Sequence, residues 1–177
     1  MKNWCVLACL VLATVGLADD AGLRSEFQAM YDQLDAQMSA GDLAAFRKVA
    51  GSSFVATDIS KRTTSLSEVV RQLASKKAQK VQVKTRVESA DTLDGKAKTA
   101  LKVHSVQVLI EGGKAVTYDI TKTQEDTWVM AGLGWKLVGS RLTSNRVIRN
   151  GKVIVSQAEH VLTDWDRNYR RRSSRRA

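Results

Sequence analysis

Two long runs of alternating apolar and polar residues, joined by a glycine-containing turn, constrain the fold more than any other feature. They extend from Lys114 to Arg149. The central stretch reads Asp126-Thr127-Trp128-Val129-Met130-Ala131-Gly132-Leu133-Gly134-Trp135-Lys136-Leu137-Val138. Alternation with a period of two on both sides of such a turn predicts a β-hairpin. Because strands this long are not stable as an isolated hairpin, the pattern also predicts a larger sheet and a layer that covers it.

Further alternating runs predict that this hairpin belongs to a five-stranded antiparallel meander, from Lys80 to Val155. In the second of these strands the apolar residues change face after Val103, which predicts a β-bulge near His104-Ser105. A shorter strand or extended segment is predicted from Ser53 to Ile59. The remaining hairpin turns are predicted at Asp94-Gly95, Gly112-Gly113 and Asn150-Gly151.

The residues before the meander predict three helices. An apolar period of 3.6 marks the first, and Gly41 supplies its C-terminal signal. Asp42 is a capping residue for the second. The sequence Ser65-Leu66-Ser67-Glu68 is a capping box for the third. The predicted helices cover residues 22–40, a short segment closed by Gly51, and residues from Ser65 to about Ala78.

Helices followed by an antiparallel meander predict an α+β domain. Long strands curl strongly, so N-terminal helices packed on a strongly curved sheet of five to six strands would enclose a cone-shaped cavity. A last helix is predicted from Ser156 toward Tyr169, because apolar residues keep helical spacing there.

Residues 1–18 predict a secretory signal peptide. Lys2 is followed by an apolar run from Val6 to Leu17, and Ala18 is a small residue at the cleavage point. We therefore expect export, to the periplasm or the extracellular medium, after cleavage near Ala18. Cleavage would remove both cysteines, Cys5 and Cys9, so the mature chain would fold without a disulfide.

The positive charge is concentrated at the C-terminus. The formal net charge is +10, and five arginines in residues 170–177 supply half of it. Clustered like charges without apolar neighbours predict a disordered tail after a single domain that covers residues 19–169. The tail is either an inert solvated end or a segment that adheres to an anionic surface. Its arginines are Arg170, Arg171, Arg172, Arg175 and Arg176.

Five short motifs stand out: Gly41-Asp42-Leu43, Asp94-Gly95, Asp126-Thr127-Trp128-Val129, Gly134-Trp135-Lys136-Leu137-Val138, and Asn145 through Lys152. These motifs and the order of elements resemble the nuclear transport factor 2-like (NTF2-like) superfamily, with its cystatin-like cone fold. The resemblance is to the secreted bacterial SnoaL-like and DUF4440-type branch, and it covers roughly residues 22–155. Members include isomerases, polyketide cyclases, dehydratases, binding modules and oligomerisation domains, so the resemblance implies a fold and leaves the function open.

The resemblance implies a carboxylate or histidine that faces the cone, opposite a tyrosine or tryptophan. Asp58 is one candidate, since a buried Asp would have a raised pKa and could transfer a proton at carbon. Alternatively, Asp58 only shapes the turn before Lys61, which is the commoner role of Asp. His104 is the second candidate base, and its alternative is a partly exposed strand residue.

Five residues are predicted to line the pocket: Tyr31, Tyr118, Trp128, Trp135 and Arg141. The aromatic side chains provide large apolar surfaces with one polar atom each. Arg141 shares a face with Trp135 if alternation holds, and an inward arginine would need an anionic partner. A register break would instead turn it outward, and the sequence leaves both alternatives open.

The sequence lacks the residues that several other kinds of site require. Two distant histidines and no cysteine in the mature chain leave no transition-metal constellation. No phosphate-binding loop, dinucleotide fingerprint or nucleophile elbow is present, so we expect no cofactor. Lysines alternate with apolar residues without interleaved aromatic residues, which is typical of a solvated sheet face and not of a specific nucleic-acid surface.

Two functions from different classes follow from these observations. The first is a non-catalytic exported protein whose conical pocket binds a small apolar or weakly anionic ligand. The second is a proton-transfer enzyme of the ketosteroid-isomerase-like kind (an isomerase, cyclase or dehydratase), which requires Asp58 or His104 to point into the cone. We favour the first because the sequence shows no convincing acid–base pair.

Charge at the sheet surface bears on the oligomeric state. Lys84, Lys98 and Lys102 fall at outward strand positions. Two copies that met through this face would bring like charges together. We therefore expect a monomer or a weak homodimer.

Overall fold

A computed structural model describes residues 20–75 and 78–159, in which three helices pack on one face of a curled seven-stranded sheet. The predicted α+β architecture is confirmed. Three predictions lie outside the described residues: the signal peptide (residues 1–18), the part of the last helix beyond residue 159, and the basic tail (residues 170–177).

The helices begin and end at residues that the sequence marks for that purpose. They are α1 (Asp20–Ser39), α2 (Leu43–Val49) and α3 (Leu66–Ser75). At the end of α1 the amides of Gly41 and Asp42 donate to the carbonyls of Met38 and Gln37 at 3.0 and 2.9 Å. Gly41 has a φ of 81°, so these bonds form a Schellman motif that only glycine adopts without strain. No helix in the described ranges is both long and apolar enough to cross a membrane.

The sheet combines the predicted meander with the predicted short strand and one further strand. In chain order the strands are β1 (Ala50–Thr57), β2 (Thr63–Ser65), β3 (Ala78–Leu93), β4 (Lys96–Glu111), β5 (Lys114–Ala131), β6 (Gly134–Arg149) and β7 (Lys152–Ala158). From β3 to β7 each strand is antiparallel to the next, whereas β1 runs parallel to β6. The order is β2-β1-β6-β5-β4-β3, and β7 pairs with the C-terminal half of β6.

The predicted β-bulge at His104-Ser105 is wrong. We call the sheet face that the helices cover the inner face and the opposite one the outer face. Ser105 is buried on the inner face and His104 is exposed on the outer face, and the ladder to β5 is unbroken there. Strict alternation continues, so Val106 and Val108 lie on the outer face. The apolar residues change face because the outer face itself becomes apolar at this end of β4.

Register shifts lie elsewhere in the sheet. In β6, Thr143 and Val138 each lie between two consecutive pairs with β5, so each is an extra residue. Glu88 is the extra residue in β3 opposite β4. Bulges of this kind bend a strand and redirect the side chains beyond them.

Three predicted element boundaries need correction. Gly51 lies in β1, which pairs with β6, and does not end α2. Helix α3 ends at Ser75, and Ala78 already pairs with Leu109 in the sheet. The last helix cannot begin at Ser156, since Ser156 belongs to β7. In each case, pairing with another strand overrides the local signal in the sequence.

Helix α1 contributes the centre of the core. Phe27 is fully buried, and its ring centroid lies 5.1 Å from that of Trp128 and 5.5 Å from that of Trp135. These contacts fasten the helix to both strands of the hairpin that dominates the sequence. Aromatic groups of this size dominate the burial energy of a small core.

The same helix covers the free edge of β3. Ser39 Oγ accepts from the amide of Val83 at 3.0 Å, and the Asp35 carboxylate accepts from the amide and the hydroxyl of Thr85. Gln28 accepts from the amide of Val87 at 2.8 Å and donates to the carbonyl of Thr85 at 2.9 Å. Because β3 is the last strand of the sheet, these side chains satisfy backbone groups that would otherwise be open to another chain.

Replacing Gln28 by Ala should lower the free energy of unfolding by about 1–3 kcal/mol, because the partly buried amide of Val87 loses its acceptor. Gln33 lies exposed on the same helix, so Gln33→Ala is the matched control and should change stability by less than about 0.5 kcal/mol. Urea denaturation of both variants measures the difference. Equal effects would show that edge coverage by α1 does not stabilise the fold.

Candidate functional site

A cavity of about 410 Å³ lies between the helices and the inner face of the sheet. Its walls are mainly apolar, with side chains from α1, α2, β1 and α3. The apolar lining includes Leu34, Met38, Phe46, Phe54, Val69 and Leu73. The predicted cone-shaped cavity is therefore present. Polar side chains of α1, α3, β1 and the rest of the sheet also line it, and some of the most deeply buried of them form one group.

These polar atoms are centred on Asp126 of β5, which lines the cavity although its exposed fraction is only 1%. The Tyr31 hydroxyl donates to Asp126 Oδ2 at 2.5 Å, and Gln124 Nε2 donates to Oδ1 at 3.1 Å. The Ser140 side chain also hydrogen-bonds to this carboxylate. Three side chains from three elements thus converge on one buried carboxyl group.

A second layer of hydrogen bonds supports Tyr31 from behind. Thr99 Oγ1 lies 3.5 Å from the Tyr31 hydroxyl and accepts from Trp128 Nε1 at 3.3 Å. The rings of Tyr31 and Trp128 meet edge to face with centroids 5.6 Å apart. The tyrosine is therefore held in position by packing and by polar contacts together.

Burial determines the acid–base properties of this pair. Desolvation raises the pKa of Asp126 to about 6, although the hydrogen bonds from Tyr31, Ser140 and Gln124 act in the opposite direction. Burial, and then the nearby Asp126 carboxylate, raise the pKa of Tyr31 well above its usual value. The cavity thus contains a carboxyl group that changes protonation near neutral pH beside a hydroxyl that stays protonated.

Asp35 is a second carboxyl group at the cavity, and Lys122 is a cation on its lining. Burial raises the pKa of Asp35, while the hydrogen bonds from Thr85 oppose that shift. Both oxygens of Asp35 bond to Thr85, so its main role is to attach α1 to β3. Asp35 is thus tied to the backbone of β3, whereas the donors to Asp126 are side chains that line the cavity.

Asp58, one of the two candidate catalytic residues, lies on the cavity lining but is occupied by its own turn. Its carboxylate accepts from the backbone amide and from Nε of Arg62, each at 2.9 Å. These bonds hold the pKa of Asp58 below its usual value. Its geometry matches the turn-forming role more closely than that of a proton-transfer base.

His104, the other candidate base, is separated from the cavity by the sheet. Its ring lies on the outer face and bonds to Asp119 at 2.9 Å. Arg141 also lies on the outer face, where it pairs with Glu125 at 2.8 Å and Glu159 at 2.7 Å. The bulge at Val138 turns Arg141 outward, into a separate pocket of about 320 Å³.

The four aromatic residues predicted for the pocket are divided among three places. Tyr31 lines the cavity. Trp128 and Trp135 pack against Phe27 in the core, and Trp135 Nε1 donates to Glu26 at 3.1 Å. Tyr118 lies further along β5, where its hydroxyl donates to Glu111 at 2.5 Å.

The sequence patterns did not single out Asp126, Gln124, Lys122 or Asp35, which all line the cavity. A signal was present for the three on β5. Counting by two from Val116 through Ile120 leads to positions 122, 124, 126 and 128, which all face the helices. Polar residues at inward positions of a strand are the pattern that marks a polar group inside a cavity.

The described residues contain no cluster of three or more histidine, cysteine, aspartate or glutamate side chains arranged to hold a metal ion. The carboxyl groups at the cavity instead bond to hydroxyl and amide donors. These contacts make hydrogen bonding and proton exchange possible at the site.

The raised pKa of Asp126 predicts a particular dependence of stability on pH. The folded state binds this proton more tightly than the unfolded state, so the contribution of Asp126 is fully present below about pH 4 and is lost as pH rises through about 6. Asp126→Asn removes this dependence. The stability of the variant relative to wild type should therefore increase by about 2 kcal/mol between pH 4 and pH 7.

Denaturant unfolding at several pH values tests this, with Asp91→Asn, at an exposed position of β3, as the control. Parallel stability curves for wild type and Asp126→Asn would contradict the assignment of the titration to Asp126.

The known proteins that this chain resembles support the fold and give no information on the activity. No protein-family profile and no curated protein matches the sequence. Among solved structures, an NTF2-like protein from Cytophaga hutchinsonii is 12% identical, with a TM-score of 0.55 over 68% of this chain and 96% of that one. An NTF2-like superfamily protein from Salmonella enterica serovar Typhimurium is 12% identical, with a TM-score of 0.57 over 70% and 91%.

A further similar structure is that of a provisionally named scytalone dehydratase from Novosphingobium aromaticivorans. It is 8% identical, with a TM-score of 0.55 over 76% of this chain and 86% of that one. Identities this low establish a shared architecture and nothing about chemistry. The chain has the cone fold of the NTF2-like superfamily.

Proposed function

We propose that the inner cavity binds a small, mostly apolar molecule whose hydroxyl group faces Asp126. The observation on which this depends is the contrast between the apolar walls and the cluster of polar groups that converge on Asp126. Ligand sites generally have this composition, in which apolar walls provide affinity and a few polar groups set orientation. The cavity volume of about 410 Å³ is within the range of about 300–1,000 Å³ for such sites.

The hydrogen-bonding capacity of Asp126 supports a ligand that donates. An ionised carboxylate accepts about four hydrogen bonds. Tyr31 and Ser140 each supply one side-chain donor, and Gln124 Nε2 lies 3.1 Å from Oδ1 and 3.3 Å from Oδ2. An alcohol or phenol would replace the longer Gln124 contact with a shorter hydrogen bond, whereas an ether or a plain hydrocarbon of the same shape has no donor to offer.

Binding of 2-naphthol should raise the melting temperature, and naphthalene and 2-methoxynaphthalene should raise it less. Ala56 lines the cavity, so Ala56→Leu should fill part of it and weaken binding of 2-naphthol at least tenfold. Ala100 lies in β4 on the outer face, so Ala100→Leu adds the same side chain outside the cavity and should leave binding unchanged. Calorimetric titration of the three proteins measures the effect.

Two results would overturn the binding proposal. One is the absence of any thermal shift across a wider panel of hydroxylated bicyclic and tricyclic compounds. The other is binding that is equally strong in Ala56→Leu and Ala100→Leu, since the ligand would then lie outside the cavity.

A second candidate function is proton transfer at carbon, and the acid–base state of Asp126 favours it. A general base is most effective when its pKa lies near the working pH, and the pKa of Asp126 is raised to about 6 inside the cavity. Asp126 would accept a proton from a carbon next to a carbonyl group and return it to the resulting enolate. Gln124 and Lys122 line the same cavity and would donate to the enolate oxygen.

In this candidate function the base is Asp126, in place of Asp58 or His104. Asp58 is held by Arg62 and His104 lies on the outer face, so neither has the geometry of the base. The dehydratase name of one structural neighbour is compatible with the candidate, but it belongs to that protein.

Exchange of the α-protons of 2-tetralone with deuterium oxide, followed by proton NMR, tests the second function. Wild type should accelerate exchange, and Asp126→Asn should reduce the acceleration by at least 100-fold, which is the low end of the contribution of a positioned base, about 10²–10⁴. Asp58→Asn and His104→Gln should retain it. Absence of acceleration by a wild-type protein that binds 2-tetralone would leave the binding function and remove the enzymatic one.

A further inference from the structure

The outer face of the sheet carries a group of exposed cations that the cavity does not use. We call Lys84, Arg86, Lys102 and Arg146 the cationic patch. Arg86 lies directly opposite Lys102, and Lys84 lies opposite His104. Arg146 continues the row of His104 on β6, beyond the intervening β5. Strand spacing makes the patch roughly 15 Å wide and 7 Å high.

Most of these cations lack a carboxylate partner. Within residues 20–75 and 78–159, Lys84, Lys102 and Arg146 form no ion pair, and Arg86 pairs with Glu88 at 3.3 Å. Like charges that face each other across two strands destabilise a sheet. A partner that supplies negative charge to this face would relieve the repulsion, so the patch complements an anionic surface.

Apolar side chains lie directly beside the patch. Val106, Ile148 and Val153 form the next row along the strands, and Val108 and Ile110 follow on β4. The exposed fraction is 47% for Ile110 and 45% for Val153. We call these five residues the apolar border. The only described charge in the row is Asp119, which bonds to His104 at 2.9 Å.

We propose that the outer face of the sheet binds the surface of an anionic lipid bilayer. The cationic patch would contact the charged headgroups, and the apolar border would enter the boundary between headgroups and acyl chains. A linear polyanion would account for the cations alone and would leave the apolar border exposed. The combination of both features on one face therefore favours a bilayer.

Vesicle partitioning tests the contribution of the patch. The triple variant Lys84→Gln, Lys102→Gln, Arg146→Gln should bind vesicles of equal phosphatidylglycerol and phosphatidylcholine much more weakly than wild type at low salt. Each cation near such a surface contributes about fivefold, so the expected loss is on the order of 100-fold. The control triple Arg24→Gln, Arg47→Gln, Lys48→Gln makes the same change of net charge at exposed positions of α1 and α2.

The apolar border distinguishes a bilayer from a soluble polyanion. The double variant Ile110→Ser, Val153→Ser should lose at least about fivefold in vesicle binding, since each change removes an apolar side chain that would be buried in the lipid. Its binding to inorganic polyphosphate should equal that of wild type. Melting temperatures of all variants verify that they fold.

Three outcomes would overturn the proposal. The first is equal vesicle binding by the triple variant and its control. The second is full vesicle binding by Ile110→Ser, Val153→Ser, which would identify the face as a site for soluble polyanions. The third is complete loss of binding on deletion of residues 170–177 alone, which would assign the interaction to the arginine tail.

Discussion

The hydrogen bond from the Tyr31 hydroxyl to the Asp126 carboxylate is the contact on which the rest of the structure depends. A carboxyl group at 1% exposure would be strongly unfavourable without donors. Tyr31 provides one at 2.5 Å, and it also joins α1 to the middle of β5. Thr99 and Trp128 hold the tyrosine at that distance. Helix α1 is therefore held at a distance from the sheet that leaves a cavity between them.

The sheet separates two chemical environments because its side chains alternate between faces. Inward positions of β5 bring Gln124 and Asp126 to the cavity, while outward positions of β3 and β4 expose Lys84 and Lys102. The bulges in β6 determine which of its side chains point to the inner face and which point to the outer face. Without the extra residue at Val138, the alternation that places Leu137 inward would place Arg141 inward as well. One inserted residue thus moves a guanidinium group from one site to another.

Predictions from the sequence were reliable where the signal was local. The Schellman end at Gly41 and the cap at Asp42 were recognisable because their partners lie within a few residues. Predictions failed where the interacting residue lies far away in the sequence. Gly51 resembled a helix end, but it lies in β1, which pairs with β6 far along the chain. Asp126 stood in a recognised motif, yet its donor Tyr31 is 95 residues away. No local sequence pattern indicates a hydrogen bond between residues so far apart.

The sequence by itself determined the three N-terminal helices, the meander and the α+β class, because periodicity and turn chemistry act over short distances. It also identified Tyr31 as a pocket residue. Only the tertiary structure decided that Asp126 is the buried acid and that His104 and Arg141 face away from the cavity. The physical reason is that burial and strand register, which set pKa values and side-chain direction, result from contacts between residues far apart in the chain.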